Sequence, residues 1–173
     1  MKRLLGCLCE KYNSKAFVPI LESDVVAFIY YLYLSHSEDA SHMHLDTRVC
    51  QKTDRRFDFV VGAVNYEFGR PCIDSPKLVA EVKAFPYGFT DQQHRVHYYH
   101  VIDDDLPKLQ SLKEFVDLRY MVLFDEDNYL RGFDTKAQSS RLECLIKLRN
   151  ELDSEIIMVH LKKTANELDL VTI

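Results

Sequence analysis

Residues 74–88 read DSPKLVAEVKAFPYG. The centre of this stretch, Leu78 to Lys83, has the apolar character of a buried strand, and Pro86 and Gly88 close it. It nevertheless carries a carboxylate, Glu81, and an amine, Lys83. Side chains along a strand alternate between its two faces, so Glu81 and Lys83 share one face with Val79. Leu78, Ala80 and Val82 point the other way. An acid and a base held at the edge of a core are costly unless they meet a metal, a charged partner or water. The choice is between a structural ion pair and a catalytic site.

The neighbouring segments supply more acids. Upstream, RRFDFVVGAV (55–64) is a β-rich run that stops near Gly62, and Asp58 interrupts its apolar pattern. If the two strands are neighbours, Asp58 and Glu81 converge on one hard divalent cation with oxygen ligands. Further upstream, PILESDVVAFIYYLYLSHSED (19–39) reads as a helix that is apolar nearly all round, and the polar run Ser35 to Asp39 ends it. HMHLDTRV (42–49) alternates as a first strand, and NYEFGRPCIDSP (65–76) is a loop or hairpin connection.

Downstream, DDDLPKLQSLKEFV (103–116) is a helix, with Asp103 to Asp105 as acidic caps and Pro107 in the first turn. Lys108, one turn into that helix, reads as solvated, with the cleft as the alternative. LRYMVLFDED (118–127) is a buried strand, TKAQSSRLECLIKLRNEL (135–152) an amphipathic helix and EIIMVHLK (155–162) a last strand. The order helix, three strands, helix, strand, helix, strand predicts an α/β fold with a central mixed sheet sandwiched by helices.

The chain has 173 residues, enough for one domain with a full core, and no linker or repeat divides it. A net charge of −5 argues against coating nucleic acid through overall charge, while leaving room for a local basic cleft. Two basic groups stand out: Lys52, Arg55 and Arg56, then Lys136, Arg141, Lys147 and Arg149. Five scattered cysteines read as free thiols of a cytoplasmic protein. The start, MKRLLGCLCEKY, has an apolar run too short for a secretory leader, and Val25 to Leu34 is too short to span a bilayer.

Three histidines, His94, His97 and His100, recur every third residue. Zinc is disfavoured, because on a strand His94 and His100 share a face that His97 does not, and no helical i,i+4 pair exists. With Arg95, Tyr98 and Tyr99 they instead suit a phosphate backbone or a stacked base. Asp74, before Ser75-Pro76, reads as a turn residue, and Arg48 as either a phosphate contact or a salt-bridge partner.

Asp58 followed by Glu81-x-Lys83, on two strands after a long helix, resembles the PD-(D/E)XK nuclease superfamily, the restriction-endonuclease-like fold. The resemblance runs from about Glu22 to about Phe124, with Phe57 where that motif has Pro. It implies an αβββαβ core and a metal-dependent nuclease cutting phosphodiester bonds, in DNA before RNA. It further implies Mg²⁺ or Mn²⁺ on Asp58, Glu81 and the carbonyl of Val82, with Lys83 assisting the attacking water and Glu22 adding an acid from the first helix. A homodimer is consistent with double-strand cutting. The alternative on the same fold is an inactive nucleic-acid-binding or protein-interaction module.

Overall fold

The computed structural model describes residues 1–36, 42–50, 55–165 and 167–173. Lys52 and the end of the predicted first helix, residues 37–39, lie outside the described residues.

Helix α1 (Lys2–Asn13) buries one stripe, Leu4, Leu5, Leu8 and Cys9. Helix α2 (Glu22–His36) buries Val25, Ile29 and Leu32, which recur at helical spacing. Three antiparallel strands follow: β1 (Met43–Arg48), β2 (Arg56–Glu67) and β3 (Arg70–Phe85). The stretch predicted as a connection is therefore mostly strand, with β2 and β3 continuing to a tight turn at Phe68-Gly69. Gly69 takes φ +73° there.

Helix α3 (Asp91–His100) opens on a capping box in which Thr90 and Gln93 serve each other's backbone amides. It continues through a π-helical turn, Val101–Asp105, into the short α4 (Leu106–Gln110). Strand β4 (Leu118–Asp125) lies parallel to β3. A small hairpin of β5 (Phe133–Asp134) and β6 (Ser139–Ser140) leads into α5 (Arg141–Asp153), capped by Ser140 and Glu143. Strand β7 (Ile157–Thr164) runs parallel to β4, and β8 (Glu167–Thr172) folds back on it.

Among the described residues the main sheet is mixed and six-stranded, in the order β1-β2-β3-β4-β7-β8. Its two apolar faces carry separate cores. Phe59, Leu78, Ala80, Val82, Ala84, Val122, Phe124 and Val159 pack with α1 and α2. Val60, Val79, Phe85, Met121, Leu123 and Met158 pack with α3, α4 and α5. The two parallel connections, β3 to β4 and β4 to β7, both cross on that second face, as successive right-handed crossovers in one direction require. Strand β3 is the hinge of the topology, antiparallel to β2 on one side and parallel to β4 on the other.

Cys50 and Cys72 form a disulfide, which corrects the expectation of free thiols throughout; Cys7, Cys9 and Cys144 are free. The bond is local in space, because Cys50 follows β1 and donates its amide to Ile73 O at the start of β3. No helix among the described residues is long and apolar enough to cross a membrane.

Candidate active site

Glu81 and Lys83 point from β3 to the face covered by α3 and α4, as the alternation in 78–83 requires. Glu81 is 3% exposed. Asp58 reaches the same place from β2 because the ladder between the two strands stops. Paired residues run down to Phe59 and Ala80 and no further. Phe57 and Phe59, two residues apart, pack on opposite faces of the sheet, so β2 turns over at Asp58. Across β1 the partner of that turn is Asp46, with φ +46°. The Asp58 carboxylate takes over where the ladder ends, its Oδ2 accepting the amide of Val82 at 2.7 Å. In an extended strand the carbonyl of Val82 points to the same edge as its N–H, so it too faces Asp58.

Glu22, first residue of α2, enters from the opposite side of β3. Its Oε2 accepts the amide of Ala84 at 3.1 Å and its Oε1 lies 3.3 Å from Lys83 Nζ. The structure thus brings together Glu22, Asp58, Glu81, Val82 and Lys83, the residues singled out from sequence.

It adds two that sequence reasoning placed elsewhere. Asp105 does not cap α4: its side chain makes no cap hydrogen bond, and the residue is buried at the end of the π-helical turn. Its Oδ2 lies 3.4 Å from Lys83 Nζ. Lys108 is not solvated: its Nζ lies 2.6 Å from Glu81 Oε1 and donates to Arg56 O at 2.7 Å. The signal was present. Asp105, Lys108, Leu109 and Leu112 share one helical stripe, and the two leucines are buried.

His97 lies on a helix rather than a strand. Its Nδ1 is 2.8 Å from Ala84 O and 3.8 Å from Glu22 Oε2, at the rim of the cluster. His94 is buried and pairs with Asp127 at 3.1 Å, away from the acids. Tyr98 and Tyr99 turn to the other side of α3, where Arg95, Lys136 and Arg141 surround them.

The cluster is short of positive charge. Glu22, Asp58, Glu81 and Asp105 are four carboxylates, and Lys83 and Lys108 are the two ammoniums paired with them. Burial pushes the Asp58 carboxyl up to about 6, against the pull of the Val82 amide. Burial, then the nearby Asp58, raises Glu81 well above the ordinary carboxylate range. Asp105 is raised by burial despite Lys83 and Lys108. Lys83 goes the other way from a buried amine: burial disfavours its charge, but Asp105, Glu22 and Asp58 outweigh it and raise its pKa.

Two buried carboxylate oxygens, Glu81 Oε1 and Asp105 Oδ2, have a lysine ammonium beside them, Lys108 at 2.6 Å and Lys83 at 3.4 Å. Buried acidic oxygens of this kind are the donor type that a hard divalent cation takes. No three His, Cys, Asp or Glu side chains among the described residues are yet gathered around one point that could hold a metal ion. The lysines stand between them, Lys83 separating Glu22 from Asp105 and Lys108 lying against Glu81.

The raised carboxyls set a pH dependence. A carboxyl whose folded-state pKa is raised favours the folded state while protonated, and that advantage is lost as pH rises through the folded value. In EDTA the melting temperature should therefore fall as pH rises from about 4 to about 7, the span between the ordinary and the raised value of Asp58. Asp58 alone, shifted by about two units, contributes on the order of 3 kcal/mol to the fall. Asp58→Asn should flatten much of it; identical pH profiles for the two proteins would refute the assignment.

Comparison with known proteins places little beside this chain. No family model matches it, and no curated protein matches it. Among solved structures it is similar to Pyrococcus furiosus SfsA, whose structure was determined in complex with Ca²⁺. The identity is 12% and the TM-score 0.35, over 87% of this chain and 62% of that one. The chain thus spans about three-fifths of that protein's length. A likeness this distant carries neither fold nor activity across.

Proposed function

We propose that this chain is a divalent-metal-dependent nuclease of the PD-(D/E)XK type that hydrolyses phosphodiester bonds, in DNA before RNA. The observation that carries the reading is the under-neutralised cluster itself. Two strands and two helical segments bring four acids to one buried place, against two lysines. A purely structural cluster gains nothing from that imbalance, since apolar residues of similar volume fill such a place at lower cost.

Asp58 and Glu81, with the Val82 carbonyl, would hold Mg²⁺ or Mn²⁺. When bound, the metal lowers the pKa of water and relieves charge on the phosphate. Lys83 keeps its proton at neutral pH, so it acts as a cation toward the water and the phosphoryl oxygens rather than as a base. Glu22 fixes that ammonium from behind while bonded to the Ala84 amide.

A groove of about 720 Å³ is lined by His44, Asp46, Arg48, Arg56 and Arg70, among others, with Arg56 paired to Asp46. Arg56 belongs to both groove and cluster, since Lys108 bonds its carbonyl. The groove's arginines would suit a polyanion despite the net negative chain. Cutting both strands of a duplex with one site per chain takes two copies, so a homodimer is part of the proposal.

The test is cleavage of supercoiled plasmid, linear single-stranded DNA and RNA with Mg²⁺, Mn²⁺ or EDTA. The expected result is metal-stimulated nicking or cutting that EDTA stops. No metal-stimulated turnover on all three substrates, with nucleic acid still bound, would replace this reading with the non-catalytic binding module.

A further inference from the structure

Lys108 is the residue whose placement the cluster's charge deficit leaves unexplained. Its side chain is 13% exposed, threading over the Phe57 ring at 5.0 Å to lie between Glu81 Oε1 and Arg56 O. A carboxylate oxygen and a backbone carbonyl are the oxygen donors that a hard divalent cation takes. The ammonium therefore occupies ground a metal on Glu81 would need. At 2.6 Å from Oε1 it leaves no room for a second cation on that oxygen, and the two charges repel.

Lys83 is not equivalent to it. Lys83 is braced by two acids, Glu22 and Asp105, at 3.3 and 3.4 Å. Lys108 has one acid partner, at 2.6 Å, and one backbone carbonyl, at 2.7 Å. It is also carried on a five-residue helix that follows a π-helical turn. Both ammoniums sit on flexible four-carbon stems, and Lys108 is tied to one acid where Lys83 is tied to two.

We propose that Lys108 is a displaceable counter-ion: it neutralises Glu81 in the metal-free protein, yields that place to the entering divalent cation, and turns its freed ammonium to the substrate phosphate. This rests on the metal-dependent reading above. It explains why the carboxylates are not already gathered around one point, because the lysine keeps Glu81 engaged until the metal arrives. It also makes Lys108 a positioning residue with two effects of opposite sign, weakening metal binding and strengthening phosphate binding.

The experiment is isothermal titration of the full chain with Mn²⁺, for the native protein, Lys108→Met and Lys108→Gln, with melting in EDTA and in Mn²⁺ alongside. The expected result is Mn²⁺ affinity at least about tenfold tighter in both variants, a tenfold change being 1.36 kcal/mol. The Mn²⁺-induced rise in melting temperature should be larger than in the native protein, and KM for DNA should increase. Two variants guard against one failing to fold. Native protein that binds Mn²⁺, with variants that bind it equally or more weakly, would show Lys108 to be a structural tie and overturn this proposal alone. No Mn²⁺ binding by any of the three would overturn the metal-dependent reading and this proposal with it.

Discussion

Glu81→Gln is expected to remove metal-stimulated cleavage by roughly 10³-fold or more, while leaving the metal-free melting temperature at pH 8 unchanged or higher. Glutamine keeps the shape of the side chain and discards only the charge. That charge is what a divalent cation needs, and Glu81 is the most deeply buried acid of the cluster at 3% exposure. In the metal-free protein the same charge is costly to bury, and Lys108 offsets part of that cost. Burial and Asp58 already push Glu81 toward its protonated form, which an amide imitates. Activity and stability should therefore part company. Loss of activity together with a large fall in melting temperature would mean that Glu81 is structural. Unchanged cleavage would remove it from the chemistry. The Asp58→Asn protein should behave alike, since Asp58 also sits above its ordinary pKa.

How much of this was legible in the chain can be judged residue by residue. The face shared by Glu81 and Lys83 follows from strand alternation alone, which holds wherever the strand is regular. Asp58 was marked by breaking an apolar run, while Glu22 came only with the family resemblance. What the sequence could not give is how these acids meet. That depends on β2 turning over at Asp58, where Phe57 and Phe59 go to opposite faces and strict alternation fails.

Asp105 was misread because three aspartates before a helix have the composition of a cap. The π-helical turn at Val101–Asp105 rotates the last of them inward instead. Helix α3 hid because few of its residues are buried, His94 and Tyr98 among ten, so it lacks an apolar period. Its Thr90-x-x-Gln93 capping box was the available signal. The Cys50–Cys72 bond joins residues 22 apart in sequence, brought together when Val49 bridges to Ile73. Spacing alone does not encode that contact.

Lys83→Met should lower the rate by about 10²–10³-fold at saturating metal while Mn²⁺ still binds, since one preorganised cation near developing charge is worth that much. The substitution has a second consequence that separates chemistry from architecture. Lys83 lies between Glu22 and Asp105, and removing it leaves two acids facing each other without their shared counter-ion. Breaking a buried ion pair by deleting one partner costs about 3–5 kcal/mol, and Glu22, with a side chain 28% exposed, keeps the cost near the lower end. The loss should be largest at pH 8 and shrink toward pH 5, because Asp105 takes up a proton more readily than an ordinary carboxyl. Added Mn²⁺ should restore part of it. Lys83→Arg should not rescue the rate, because the longer, planar guanidinium sets its charge at a different point from the compact ammonium. If the rate falls only in proportion to lost metal affinity, Lys83 serves the metal site and not the phosphate. If metal affinity holds while the rate collapses, the ammonium acts on the reacting phosphate itself.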